Sequence, residues 1–237
     1  MLIAPQNSLA APALAANLAT LRAEIAAAAR DADRNEHCIT LLAVSKGHGA
    51  AQVRAAAAAG VRDFGESYVA EALPKIEALQ ELALTWHFIG RIQANKTRPI
   101  ATHFDWVHGV DRLRVAERLS EQRPFHAQPL QVCLQVNIAA DARKGGVEPA
   151  EVGALAAAVH ALPRLRLRGL MCILPAGRDA RENRRDFAAL RELQRQIDRP
   201  ELGLDTLSMG MSADFRDAIA EGSTLVRIGT SLFGPRS

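Results

Sequence analysis

The chain has 237 residues, 49% of them hydrophobic, which is ample for one large core and lies in the common size range of a single α/β barrel. Net charge is +3 and aromatic residues make up only 4%, so neither a strongly basic nucleic-acid surface nor a base-stacking platform is expected. The three cysteines, Cys38, Cys133 and Cys172, are odd in number and far apart, which argues against a metal site and for a reducing, cytoplasmic compartment.

The N-terminus is rich in Ala and Leu. It lacks a basic leader, and Gln6, Asn7 and Asn17 interrupt its apolar run, so it does not fit a signal peptide. Leu14, Leu18, Leu21 and Ile25 then recur on one helical face, with Pro12 near the first turn, and predict an amphipathic N-terminal helix. No stretch is long and apolar enough to span a bilayer, so no membrane partner is expected.

Beyond that helix, short apolar runs alternate with longer helical patterns. Strands are expected at 39–44, 61–64, 86–89, 106–110, 132–136, 167–172, 206–208 and 225–228. Helices are expected at 50–59, 68–82, 113–122, 150–161, 181–197 and 213–220. This alternation predicts parallel pairing and a single closed (β/α)8 barrel of the TIM type, one domain over residues 1–237. No Gly-rich dinucleotide fingerprint follows the first strand, which counts against an open doubly wound sheet.

In such a barrel the chemistry sits at the C-terminal strand ends. The first strand ends in Ser45-Lys46-Gly47. Of the 29 basic residues only Lys46, Lys75, Lys96 and Lys144 are lysines. Lys46 follows a buried strand directly, and a lysine against apolar surface can lose its proton and attack a carbonyl, which arginine cannot do. The loops expected after strands seven and eight are SMGMS (208–212) and RIGTSLFG (227–234). That is where this fold commonly binds phosphate. Gly210 and Gly229 allow close backbone approach, and Ser208, Ser212 and Thr230 supply hydroxyls beside Met211. Ser212 also reads as a helix N-cap. Arg227, two residues before Gly229, points the same way into the mouth. A reactive lysine and a phosphate cradle match the two handles of pyridoxal 5'-phosphate (PLP), its aldehyde and its phosphate.

The segments AVSKG (43–47), FGESYVAE (64–71), WHFIGRIQANK (86–96), RLRLRGLM (164–171), LSMGMSADF (207–215) and GSTLVRIGTSLFG (222–234) resemble, in order and over nearly the whole chain, the pyridoxal phosphate homeostasis proteins of the YggS/PROSC type. That family looks like the barrel half of alanine racemase, so the resemblance implies an alanine racemase N-terminal-domain-like barrel with an extra N-terminal helix. It implies that Lys46 carries PLP as an aldimine. It also implies that Ser208, Ser212, Gly229 and Thr230 hold the phosphate, that Arg227 faces the pyridine nitrogen, and that His87 and the segment through Lys96 line the same mouth. Met211 and Ser67 join this cofactor-binding set, Ser67 standing where the family usually has Asn. Gly47-His48-Gly49 replaces the family's Thr and nearby Pro, so a looser loop with a solvated His48 is expected.

The resemblance implies a PLP carrier or regulator in vitamin B6 supply with no catalytic residue and no metal, not an enzyme with established turnover. PLP-dependent apo-enzymes are its candidate acceptors. An Arg at the ring nitrogen works against carbanion chemistry, and the racemase's second domain, which supplies a catalytic tyrosine, has no counterpart here; the single tyrosine is Tyr68. A monomer is expected on the same ground. A weak PLP-dependent racemase or lyase, and a PLP-free barrel enzyme in which Lys46 forms a Schiff base with a sugar phosphate, are the competing readings.

Overall fold

The computed structural model describes residues 11–141 and 143–235. The Gln6–Asn7 interruption lies outside them. The first element, α1 (Ala11–Asp31), is the expected amphipathic helix, with Leu14, Leu18, Leu21 and Ile25 all buried. The barrel follows as β1 (Thr40–Val44), α2 (Ala50–Ala58), β2 (Asp63–Glu66), α3 (Val69–Ala78), β3 (Thr85–Phe88), α4 (Thr97–His103), β4 (Trp106–Val110) and α5 (Leu113–Gln122). It continues with β5 (Leu130–Gln135), α6 (Val152–His160), β6 (Leu165–Met171), α7 (Ala180–Ile197), β7 (Thr206–Met211), α8 (Phe215–Ala220), β8 (Leu225–Ile228) and α9 (Thr230–Phe233). The strands are all parallel and close in sequence order, with β8 pairing back onto β1. This is the expected (β/α)8 barrel. No helix among the described residues is long and apolar enough to cross a membrane.

Alternation along each strand divides the side chains into two sets. One faces the helices: Phe88 meets Phe104 edge-on at 5.4 Å between ring centroids, and Phe64 lies 5.8 Å from Trp86. The other fills the barrel, and here it is unusually polar. Leu42 is level with Arg227 across the β1–β8 seam, and Gly65 with His87 across β2–β3. His87, His108, Ser208 and Arg227 are all buried. Helix α1 packs against α8 and α9, and Asn17 donates from its amide to the Leu232 carbonyl at 3.2 Å.

Several expectations on element boundaries are corrected: α3 ends at Ala78, not 82, and β2 lies two residues later than 61–64. Strand β7 extends to Met211, so most of SMGMS is strand. Gly210 (φ +95°) makes this possible, because a Cβ there would stand 2.6 Å from Cβ of Ala218 on α8. Helix α8 starts at Phe215, not 213. Asp214 and not Ser212 is its N-cap residue, and the Asp214 carboxylate accepts from the Met211 amide at 2.6 Å. The short helices α4 and α9 were not expected, since neither is long enough to display a helical period.

Gly169 sits beside the register shift between β5 and β6, at φ +156°. A Cβ there would lie 1.8 Å from the Thr206 carbonyl oxygen and 2.7 Å from Oε1 of Gln194, the atom that accepts the Leu170 amide. Gly169→Ala is therefore expected to lower stability by roughly 2 kcal/mol or more, read as a drop in the urea midpoint with little change in slope. An unchanged midpoint would contradict this packing.

Candidate functional site

At the C-terminal ends of the strands a cavity of about 290 Å³ opens into the barrel mouth. Lys46, Ser67, Met211, Ser212, Arg227, Gly229 and Thr230 line it, with Val44, Ile89, Ile173 and Ala213 as its apolar wall. Seven positions expected from sequence thus meet in one place, although they come from four separate strand ends.

Lys46 is held from both sides. The Ser45 amide donates to the Gly65 carbonyl at 3.0 Å, continuing the β1–β2 ladder one residue past Val44. Behind it, on the helix side, lies a buried cluster. Ser45 Oγ donates to Glu66 Oε1 at 2.6 Å. Lys75 Nζ donates to the Ser45 carbonyl (2.9 Å), to Glu66 Oε1 (2.7 Å) and to Glu71 Oε1 (2.6 Å). The Gly47 amide donates to that same Glu71 oxygen. Burial pushes the Glu66 carboxyl up, while Lys75 and Ser45 pull it down; the net direction is up. Glu66 Oε2 finds no hydrogen-bond partner among the described residues. Sequence reasoning missed this clamp. Its one legible trace was the i,i+4 spacing of Glu71 and Lys75.

The loop after Lys46 is not loose. The turn at Gly47 (φ +79°) brings the His48 amide to the Ser45 carbonyl at 3.0 Å. The Gly49 amide donates to Gln52 Oε1 at 3.1 Å. His48 is buried and stacks on Phe233, with 4.9 Å between ring centroids, so the expected solvated histidine is corrected.

Arg227 reaches the cavity from inside the barrel and is itself buried. Its Nη1 donates to the Ser208 carbonyl (2.6 Å) and to Ser208 Oγ (2.9 Å), and Nη2 donates to the Cys172 carbonyl (2.8 Å). Burial lowers its pKa, yet a guanidinium remains charged in this range. Burial also pushes the Asp214 carboxyl up, against the pull of the Met211 amide and of Arg227.

Two expected site residues do not line the mouth. Ser208 is fully buried, and its Oγ is engaged by Arg227 and His108. His87 lies deeper, with Nε2 3.1 Å from Asp63 Oδ1 and its ring stacked on Trp106 at 5.4 Å. The reason is depth. Alternation sends every second side chain inward, but only inward positions near a strand's C-terminal end reach the mouth. At β3 that position is Ile89, just past the strand end and two residues beyond His87. Lys96 lines an adjoining cavity of about 270 Å³ with Tyr68 and Arg91, and Ser67 borders both.

A larger cavity, about 520 Å³, lies at the opposite face between α1 and the beginnings of β1 and β2, with no lysine in its lining. Chemistry in this fold gathers at the other face. Among the described residues no cluster of His, Cys, Asp or Glu could hold a metal ion. The mouth instead suits an organic anion. Its described lining has two cationic side chains, three hydroxyls and no carboxylate. Gly229 keeps the backbone bare where a Cβ would come within 3.2 Å of the Val44 carbonyl. The short helix α9 starts at that point, which is the phosphate-site arrangement of this fold.

Residues 12–237 match the family model for the alanine racemase N-terminal domain. The chain is 56% identical over 223 residues to the pyridoxal phosphate homeostasis protein of Pseudomonas aeruginosa, covering 94% of this chain and 96% of that one. It is 51% identical over 234 residues to the protein of the same name from Escherichia coli, covering 94% and 97%. Among solved structures, PipY of Synechococcus elongatus with PLP bound superposes with a TM-score of 0.83 at 41% identity, over 93% of this chain and 100% of PipY. Alanine racemase from Corynebacterium glutamicum shares the fold, with a TM-score of 0.68 at 18% identity over 93% of this chain and 60% of that enzyme. This barrel, with its lysine-bearing mouth, belongs to the pyridoxal phosphate homeostasis protein family, on the alanine racemase N-terminal-domain fold.

Proposed function

We propose that this chain holds PLP at the barrel mouth and serves intracellular vitamin B6 homeostasis as a carrier, without catalytic turnover of its own. The observation that carries the reading is the meeting of Lys46 with the ends of β7 and β8 around one cavity. A close relative in sequence and fold, PipY, binds PLP. The cofactor supplies an aldehyde carbon open to attack by an amine, and a ring that can withdraw electrons.

The residues divide that ligand between them. Lys46, backed by Val44 and clamped through Ser45 and Gly47, would supply the amine for the aldehyde. Ser212, Thr230 and the amides at Gly229 and the start of α9 hold the phosphate. Arg227 meets the ring nitrogen. A guanidinium only donates hydrogen bonds, so a ring nitrogen placed against it would accept and be kept unprotonated, which would weaken the ring as an electron sink. Ser67 and Met211 close the sides.

A weak racemase or lyase is the second reading, favoured by the fold shared with alanine racemase. Racemisation needs a proton removed on one face and returned on the other. The described lining of the mouth offers Lys46 but no carboxylate, imidazole or phenol. Tyr68 is 64% exposed and lies outside this cavity. This composition supports holding over turnover.

Lys46→Ala is expected to abolish the visible absorption band of the PLP-loaded protein and leave at most weak, non-covalent binding. Retention of the band would place the covalent link elsewhere, and a phosphate ligand bound with no such band at all would favour a sugar phosphate. Ser212→Ala or Thr230→Ala should weaken PLP by about 0.5–3 kcal/mol each and leave pyridoxal, which lacks the phosphate, nearly unaffected. Equal losses for both ligands would assign the effect to folding. With L-alanine in D₂O and stoichiometric loaded protein, NMR should find α-proton exchange far slower than about 1 s⁻¹. Faster exchange that vanishes in Lys46→Ala would promote the racemase reading.

A further inference from the structure

The barrel interior holds a hydrogen-bonded chain that the holding of PLP does not use directly. It begins at Arg227 on β8, whose Nη1 donates to Ser208 Oγ on β7 at 2.9 Å. Ser208 Oγ lies 2.8 Å from Nδ1 of His108 on β4. Nε2 of His108 lies 2.9 Å from Nδ1 of His87 on β3. Nε2 of His87 lies 3.1 Å from Oδ1 of Asp63, at the start of β2. Both histidines and Ser208 are buried, and Asp63 is partly exposed. The upper end borders the mouth cavity through Arg227; the lower end borders a basal cavity of about 260 Å³ through Asp63 and His87. These two cavities share no lining residue.

The ends dictate the direction of every bond. A guanidinium has no acceptor, and an ionised carboxylate has no donor. His87 must therefore donate from Nε2 to Asp63. If neutral, it accepts at Nδ1, so His108 donates from Nε2 and accepts at Nδ1. Ser208 then gives its one proton to His108 and accepts from Arg227. One arrangement satisfies every buried atom with both imidazoles neutral, and it runs donor to acceptor from the cation to the carboxylate.

We propose that Asp63, His87 and His108 are positioning residues for the mouth: by drawing the Ser208 hydroxyl proton inward they keep its lone pair aimed at Arg227 and hold the guanidinium at the cavity. The inference about ligand affinity rests on Arg227 meeting the ring of PLP. The geometry of the chain does not.

The surroundings agree. Burial lowers the pKa of His87 against the fields of Asp63 and Asp105, and lowers that of His108 strongly, reinforced by His87 and Arg227. Trp106 covers the His87 ring, and Arg168 lies over the indole at 4.7 Å. Arg168 is bound to Asp205 across the same basal cavity. A proton added to His108 would thus meet Arg227, and one added to either imidazole would break the one satisfied arrangement.

The test has an arm that needs no PLP. In ¹⁵N NMR of the unloaded protein, His87 and His108 should both be neutral Nε2–H tautomers between pH 6 and 8, and the Arg227 Nη protons should give resolved, slowly exchanging signals. His108→Phe should average those Arg227 signals, and Asp63→Leu should do so in part, whereas Asp63→Asn, which keeps an acceptor for His87, should preserve them. In the second arm, His108→Phe should weaken PLP and pyridoxal alike, by about tenfold, because the loss falls on the ring and not on the phosphate. Should His108→Phe fold poorly, the tautomers of the native protein and the Asp63 pair still decide the matter. An Nδ1–H or charged imidazole at pH 7, or Arg227 signals indifferent to His108→Phe and Asp63→Leu, would overturn the proposal. If native protein binds neither ligand while the NMR arm succeeds, the PLP reading fails and the positioning chain stands. Unchanged affinities in a folded His108→Phe, with native PLP binding intact, overturn the chain's role in binding and leave the PLP reading in place.

Discussion

The pairing of β8 with β1 is the constraint on which the site depends. It sets Leu42 level with Arg227 and Ala43 level with Ile228. In doing so it brings Lys46, four residues past Leu42, to the same rim as Gly229 and Thr230, which come from the far end of the chain. No local contact could join them. Closure also abolishes the sheet edge, so every strand is paired on both sides. The helix α1 reinforces the seam from outside, through its contacts with α8 and α9.

Such a rim needs polar side chains where a barrel would otherwise be filled with aliphatic ones, and burying them costs free energy unless each is paired. Two separate networks meet that requirement, Glu66 Oε2 excepted. Outside the barrel wall, Lys75 sits between Glu66 and Glu71 and fixes the backbone around Lys46. Inside it, Arg227 is satisfied by two carbonyls and a serine. Each network holds one of the cations that face the cavity, and neither presents a carboxylate to it. The mouth is left positive, furnished with hydroxyls and open to an anion.

The sequence disclosed the barrel more fully than the depth within it. Strands β4 and β8 and helix α5 are as expected from pattern alone, because each is a clean apolar run or one-face period between polar flanks. Lys46, Ser212, Arg227 and Thr230 were legible because they sit at strand ends in a fold that places chemistry there. His87 and Ser208 were drawn into the same set because their sequence neighbours belong to it. A period of two tells inward from outward, not how far a residue lies from the rim. The Glu66–Lys75 contact is between strand and helix and has no periodic signature. His48 looked like a solvated loop residue between two glycines, and only α9, too short to read from pattern, supplies the Phe233 ring that buries it.

The account stands on Lys46 as the covalent anchor within a mouth assembled by strand closure. Borohydride reduction of the PLP-loaded protein, followed by digestion and mass spectrometry of the peptides, measures this directly. The account predicts a pyridoxyl label confined to the peptide that carries Lys46. A label on Lys75, Lys96 or Lys144 in its place, or none on any lysine of a protein that retains PLP, would contradict it.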